Sequence, residues 1–186
     1  MIESMKNCYQ TDKQNVYEHG LSVWKFYQRL LDGEHEGMKI PKWFSDYEHL
    51  FSGHEKHHLY SRDIAEKYTT FHDLGKTKCL TIDENGRRHF PNHAAISEQM
   101  WLEYGGCPEI GKLIGLDMIF HTESHEQISA RNLDQRTLCT LMIAALAELH
   151  ANATMFGGIT SDSFCIKYKR LNKRAENILK NLKLES

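Results

Sequence analysis

The stretch RTLCTLMIAALAELHANATMF, residues 136–156, constrains the fold more than any other part of the chain. Leu138, Leu141, Met142, Ala145 and Leu149 recur at helical spacing, and the residues between them are mostly apolar too. Such a helix has almost no side to show to water, so it has to run through the middle of a helical assembly. Asp134 stands where its N-cap belongs. The rest of the chain must then supply amphipathic helices to cover it.

From Thr11 to Leu31, Val16, Val23, Phe26, Tyr27, Leu30 and Leu31 keep helical rhythm, and Asp32-Gly33 stops them. His19 falls on the same face as Val16 and Val23. Residues 34–60 are irregular and hold Pro41 and five histidines; they read as a long connection with a short helix near PKWFSDYEHLF. Ser61 is a plausible N-cap for a helix carrying Ile64, Ala65, Tyr68 and Phe71, with His72 facing inward and Gly75 supplying the C-cap. KCLTIDENGRRHF, residues 78–90, reads as two short extended pieces around Glu84-Asn85-Gly86. A helix over Asn92–Tyr104 follows Pro91 and breaks at Gly105-Gly106; another spans roughly Pro108–Thr122 and ends near His121. Residues 161–183 form a basic amphipathic helix with Phe164, Tyr168, Leu171 and Ile178 on one side. These readings predict an all-α bundle of six or seven helices with one small β-hairpin, a single domain over residues 1–186 with its core at about 12–156.

Composition narrows the chemistry. Net charge is −2 over 186 residues, which excludes a nucleic-acid-coating charge excess, and no apolar run approaches the ~20 residues of a membrane helix. MIESMKNCYQ lacks the apolar core of a signal peptide, and five scattered cysteines form no CxxC pair, so the expectation is a cytoplasmic protein with reduced thiols. Twelve histidines stand out. His19, His72, His93 and His121 each lie in or at the end of a predicted helix, and His72 is joined to Asp73. Imidazole nitrogens with a carboxylate suit zinc, iron, manganese, cobalt or nickel. Adjacent helical residues point about 100° apart, so His72 and Asp73 share one ion only at a distorted helix end, or bridge two. The break at Gly75 offers that distortion, and Lys76 places a cation where a phosphate oxygen would lie.

In order, YEHGLSVW around His19, FHDLGK around the doublet, and Asp83, Gly86, Phe90 and His93 in D-x-x-G-x-x-x-F-x-x-H spacing resemble the HD superfamily of metal-dependent phosphohydrolases, over roughly residues 15–156. The piece after the doublet is most similar to the HD domains of bacterial tRNA nucleotidyltransferases and related RNA-repair enzymes. The resemblance implies an HD-type bundle holding one or two divalent transition-metal ions (Mn, Co, Ni, Zn or Fe), with His19, His72, Asp73 and a late-helix carboxylate as ligands. Where the family has aspartate in an A-D-x-x-x-A stretch, this chain reads ALAELHANA, so Glu148 takes the place, with His150 and Asn152 as rivals. His93 and His121 would bind a second ion or contact phosphate. Asp73 would also orient or deprotonate the attacking water, Lys76 would neutralise phosphate charge, and Arg87 and Arg88 offer further phosphate-binding cations. His125 reads as a neighbour of the site or a surface residue, and His54, His57 and His58 as a lid or a solvated loop.

The function implied is cleavage of a phosphoester of a small-molecule nucleotide or an RNA or DNA end by metal-activated water. Two alternatives stay open from sequence: a di-iron HD-type oxygenase, and a metal- or nucleotide-binding module without turnover.

Overall fold

The computed structural model describes residues 1–48, 51 and 58–182, and among them the chain is mostly helical with two short antiparallel ladders. It divides into two compact units, each assembled from two stretches of sequence: 1–24 with 62–117, and 25–61 with 118–186.

The first unit opens with α1 (Ile2–Lys6), a ladder of β1 (Tyr9–Thr11) with β2 (Gln14–Asn15), and the start of α2 (Val16–Leu31). The helix expected from Thr11 therefore begins five residues later. Residues 9–15 instead fold back as a hairpin, and Asn15 and Glu18 cap the helix reciprocally: the Glu18 amide donates to Asn15 Oδ1 at 2.8 Å, and the Asn15 amide to Glu18 Oε2 at 3.1 Å. After the second unit's first stretch come α4 (Arg62–Phe71), the short α5 (Lys76–Cys79), the expected hairpin of β3 (Thr81–Ile82) with β4 (Arg88–His89), α6 (His93–Glu103) and α7 (Pro108–Gly115). Met5, Cys8, Val16, Leu74 and Met100 form a buried cluster, with Phe71, Phe90 and Ile96 against it. Gly105-Gly106 does break α6: Gly105 has φ +75°, and the Trp101 indole donates to the Cys107 carbonyl at 2.9 Å across the turn.

The second unit holds the rest of α2, α3 (Lys42–Asp46), α8 (Ile119–Thr122), α9 (His125–Ala130), α10 (Gln135–Ala151), a 3₁₀ turn over Ala153–Phe156 and α11 (Asp162–Asn181). α10 is buried on nearly every side, as its composition requires, and Asp134 caps it by accepting from the Thr137 amide at 2.8 Å. Phe164, Tyr168, Leu171 and Ile178 are buried along α11, and Ser161 caps it. The single helix expected over Pro108–Thr122 is broken: α7 ends at Gly115 and α8 begins at Ile119. A new helix then starts behind Ser124, whose hydroxyl accepts from the Gln127 amide while the Gln127 side chain accepts from the Ser124 amide. This S-x-x-Q capping box separates His125 from the helical face of His121. His125 sits partly exposed beside Glu126 and Asn177. Of the expected lid, His54 and His57 lie outside the described residues.

His150 is a structural residue. Its Nδ1–H donates to the Leu146 carbonyl at 2.8 Å, its Nε2 accepts the Lys39 amide at 3.0 Å, and its ring lies between Phe26 and Phe164. Burial lowers its pKa, and the Leu146 bond only partly opposes that. The neutral ring is the folded form, so its stabilisation is complete above the ordinary imidazole pKa of about 6.5 and is lost as pH falls below it toward the depressed folded value. His150→Leu should cost about 1–3 kcal/mol at pH 7.5, because a buried carbonyl and a half-buried amide lose their partner. Thermal melts should show that gap narrowing between pH 7 and 5; a pH-independent gap would contradict the assignment.

Candidate metal centre

The first unit brings four of the expected residues to one carboxylate. α4 ends at Phe71, and His72–Gly75 form a tight turn in which His72 and Asp73 are each 1% exposed. The distorted helix end expected here is present, but its geometry is not that of a glycine C-cap. Gly75 has φ −63° and ψ −21°, which any residue adopts. Its lack of a side chain is used for close approach: a Cβ would overlap the His93 carbonyl and stand 2.5 Å from the Ser97 amide. The Gly75 amide donates to Ser97 Oγ at 2.7 Å, which pins the turn to α6 and sets His93, the first residue of that helix, beside Asp73.

Gly20 does the same for α2. A Cβ at position 20 would overlap the Thr70 backbone carbonyl, so α2 and α4 meet backbone to backbone. His19, fully buried, then reaches Asp73: its Nε2 lies 3.6 Å from Oδ2, and its ring centroid is 5.3 Å from that of His72. Gly20 is visible in the sequence directly after His19, and the pairing of a histidine with a small residue at a helix crossing is the signal that could have found this contact.

The protonation pattern follows from the partners. His72 Nδ1 lies 2.7 Å from the Thr69 carbonyl and His93 Nδ1 lies 3.0 Å from the Phe90 carbonyl. A carbonyl only accepts, so each Nδ1 carries the proton and each neutral ring presents a lone pair at Nε2. Those lone pairs face the two carboxylate oxygens: His72 Nε2 is 3.3 Å from Oδ2, and His93 Nε2 is 3.4 Å from Oδ1. Acceptor facing acceptor requires a cation between, either a proton or a metal ion. Charging several rings with protons in so buried a place is costly, whereas one divalent ion satisfies them together. Ligand atoms ~2.1 Å from a common ion stand roughly 3.0–3.4 Å apart at octahedral or tetrahedral angles, close to the separations here. His19, His72 and Asp73 offer ligand atoms all within 4.8 Å of one another, and all three are buried.

Burial alone would push the Asp73 carboxyl up. Positive charge beside it outweighs that and holds it well below the usual carboxylate range: the His72 ring first, where a proton stands between it and the carboxylate, then the Lys76 ammonium, with His19 behind them. Lys76 is already engaged within the site: its Nζ lies 2.6 Å from Asp73 Oδ2 and 3.1 Å from Gln10 Oε1, over the Phe90 ring. Its nearest charge is therefore the buried carboxylate. The D-x-x-G-x-x-x-F-x-x-H spacing also acquires a physical account. Asp83 Oδ1 accepts the Asn85 and Arg87 amides at 2.9 Å each, Gly86 takes φ +75°, and Phe90 supplies both the carbonyl for His93 and the ring under Lys76. Arg88 is held by Asp12 at 2.9 Å, and Arg87 is exposed at the hairpin tip.

His121 and Glu148 meet in the second unit, Nε2 to Oε2 at 2.8 Å. Of the rivals to Glu148, His150 has both ring nitrogens taken by backbone, and Asn152 is the C-cap of α10 with its Nδ2 3.4 Å from Glu148 Oε1. Sequence reasoning missed Asp117. It is buried in the first unit, accepts the Tyr68 hydroxyl at 2.7 Å, and has an oxygen within 4.8 Å of a His72 ring nitrogen. A lone acid inside the apolar run LIGLDMIF was its signal. Compared with models of protein families, with curated proteins and with solved structures, the chain matches none.

Proposed function

We propose that the protein is a metal-dependent phosphohydrolase of the HD type, acting on a phosphoester of a nucleotide or a nucleic-acid end. The observation that carries the reading is Asp73, a buried carboxylate faced on both oxygens by imidazole nitrogens whose rings are oriented by backbone carbonyls. His19, His72 and Asp73 would hold a divalent transition-metal ion through Nε2, Nε2 and Oδ2. His93, on the Oδ1 side, would take a second ion or a phosphate oxygen. Such an ion, when bound, lowers the pKa of water to near ~7 and stabilises charge growing on a phosphoryl oxygen.

The chain's own residues supply the rest. The Thr69 and Phe90 carbonyls fix the imidazole tautomers, so Nε2 is the only basic nitrogen each ring presents. The Lys76 ammonium, 2.6 Å away, favours the ionised form of Asp73, so the carboxylate can ligate and can accept a proton from water held beside it. Arg87, exposed at the hairpin tip, remains available to an incoming phosphate.

The test is metal analysis of the purified protein followed by a panel of phosphomonoesters, cyclic phosphodiesters and nucleoside triphosphates with manganese, cobalt, nickel and zinc. We expect about one or two ions per chain, with turnover lost on chelation and restored by metal. Full occupancy without turnover on any member of the panel would reduce the protein to a metal-binding module, and oxygen consumption with iron would replace hydrolysis by oxygenation.

A further inference from the structure

We propose that the second unit carries a binding site for a small phosphate monoester of the nucleoside monophosphate class, in the cavity between the C-terminal end of α10, the 3₁₀ turn and α11. The cavity has a volume of about 240 Å³. That is just under the roughly 300 Å³ at which typical small-ligand pockets begin, a size for a small molecule and not a polymer.

One side of the cavity is cationic. Lys167, Arg170 and Arg174 follow one another at three- and four-residue intervals, so α11 turns them to a common face. Like charges so placed repel, and burial together with the Arg170 charge lowers the Arg174 pKa. Among the lining residues Glu148 is the one carboxylate, and it lies against His121. Arg170 has neither an acidic partner nor a hydrogen bond among the described residues, and Lys167 rests over the Phe156 ring. Arg174 is pre-ordered. Its Nη1 donates to the Phe120 carbonyl at 2.9 Å and to that of His121 at 3.3 Å, which leaves the other guanidinium N–H groups for an anion. A phosphate dianion matches this arrangement, since it takes charge-assisted bonds from several cations at once.

The remaining walls specify more than phosphate. Met118, Leu149 and Leu171 are apolar lining. Asn152 contributes a side-chain oxygen that is buried and has no hydrogen-bond donor among the described residues. The amide is oriented by Glu148, whose Oε1 accepts from Nδ2 at 3.4 Å, so the oxygen is the atom left over. An organic group carrying a hydroxyl or amino donor satisfies it, and inorganic phosphate does not.

The site needs no metal, so it is tested apart from the hydrolase reading, by calorimetric titration of the full chain in excess EDTA with AMP, inorganic phosphate and adenosine. AMP should bind saturably and at least ~10-fold more tightly than either of the others. Arg170→Glu removes an exposed side chain that holds nothing in the fold, and should weaken AMP about ten- to a hundred-fold, the worth of a hydrogen bond to a charged group. Lys13→Glu, an equal charge change in the first unit, should leave it unaltered. Equal affinity for AMP and phosphate, indifference to Arg170→Glu, or AMP binding that vanishes with EDTA would each overturn the proposal.

Discussion

Gly20→Ala should destabilise the protein by about 2–4 kcal/mol, the upper range for an overpacked core. The sign is the informative part. In an exposed helix interior, replacing glycine by alanine gains about 1 kcal/mol of helix propensity. At position 20 the added methyl would overlap the Thr70 carbonyl, which is backbone and has no rotamer to escape into. Relief requires α2 to move away from α4, and His19 moves with it, away from Asp73. Chemical denaturation should therefore show a lower midpoint, and the variant should bind metal more weakly even where it remains folded. A stabilised variant would mean that these two helices do not meet as described.

The second large effect belongs to Asp73→Asn, which preserves shape and removes charge. The amide offers its imidazole neighbours one neutral oxygen where the carboxylate offered two charged ones. It also takes from the largely buried Lys76 ammonium its charged partner at 2.6 Å, leaving it neutral acceptors such as Gln10 Oε1. We expect metal affinity to fall at least ~100-fold by titration, and phosphoesterase turnover about 10²–10³-fold, as for loss of one group stabilising transition-state charge. Removing one partner of so buried an ion pair should also cost about 3 kcal/mol of stability in the metal-free protein. His72→Ala should share the loss of metal without stranding Lys76. Wild-type metal binding by Asp73→Asn would remove the site from this carboxylate.

Much of this arrangement is legible in the chain. The apolar run of residues 136–156 dictates a buried helix, and Asp134 marks its start. Asn85-Gly86 marks the hairpin that carries Phe90 toward His93. The order of His19, His72-Asp73 and His93 points to ligand chemistry, and helical rhythm turns His19 and His72 inward. Less legible were the breaks. Thr11–Asn15 hold no apolar residue to set a period, and they fold as part of a hairpin instead of extending the helix, which the Asn15–Glu18 cap starts at Val16. Leu116–Met118 carry helical periodicity but interrupt the helix, and Asp117 there accepts a bond from Tyr68, 49 residues away. Periodicity reports which side chains avoid water. It does not report which backbone turn a distant hydroxyl or side-chain cap will stabilise.

By itself, then, the sequence determined the helical class and the buried central helix, and it supplied the groups proposed here to bind metal. Those are consequences of hydrophobic spacing and ligand chemistry, both local properties. Only the tertiary structure decided that His150 is a packing residue, that Lys76 serves Asp73, and that Gly20 and Gly75 are contact points between backbones. Each of these depends on what stands across a gap of a few ångströms from a residue far away in the chain, and no local pattern encodes that neighbour.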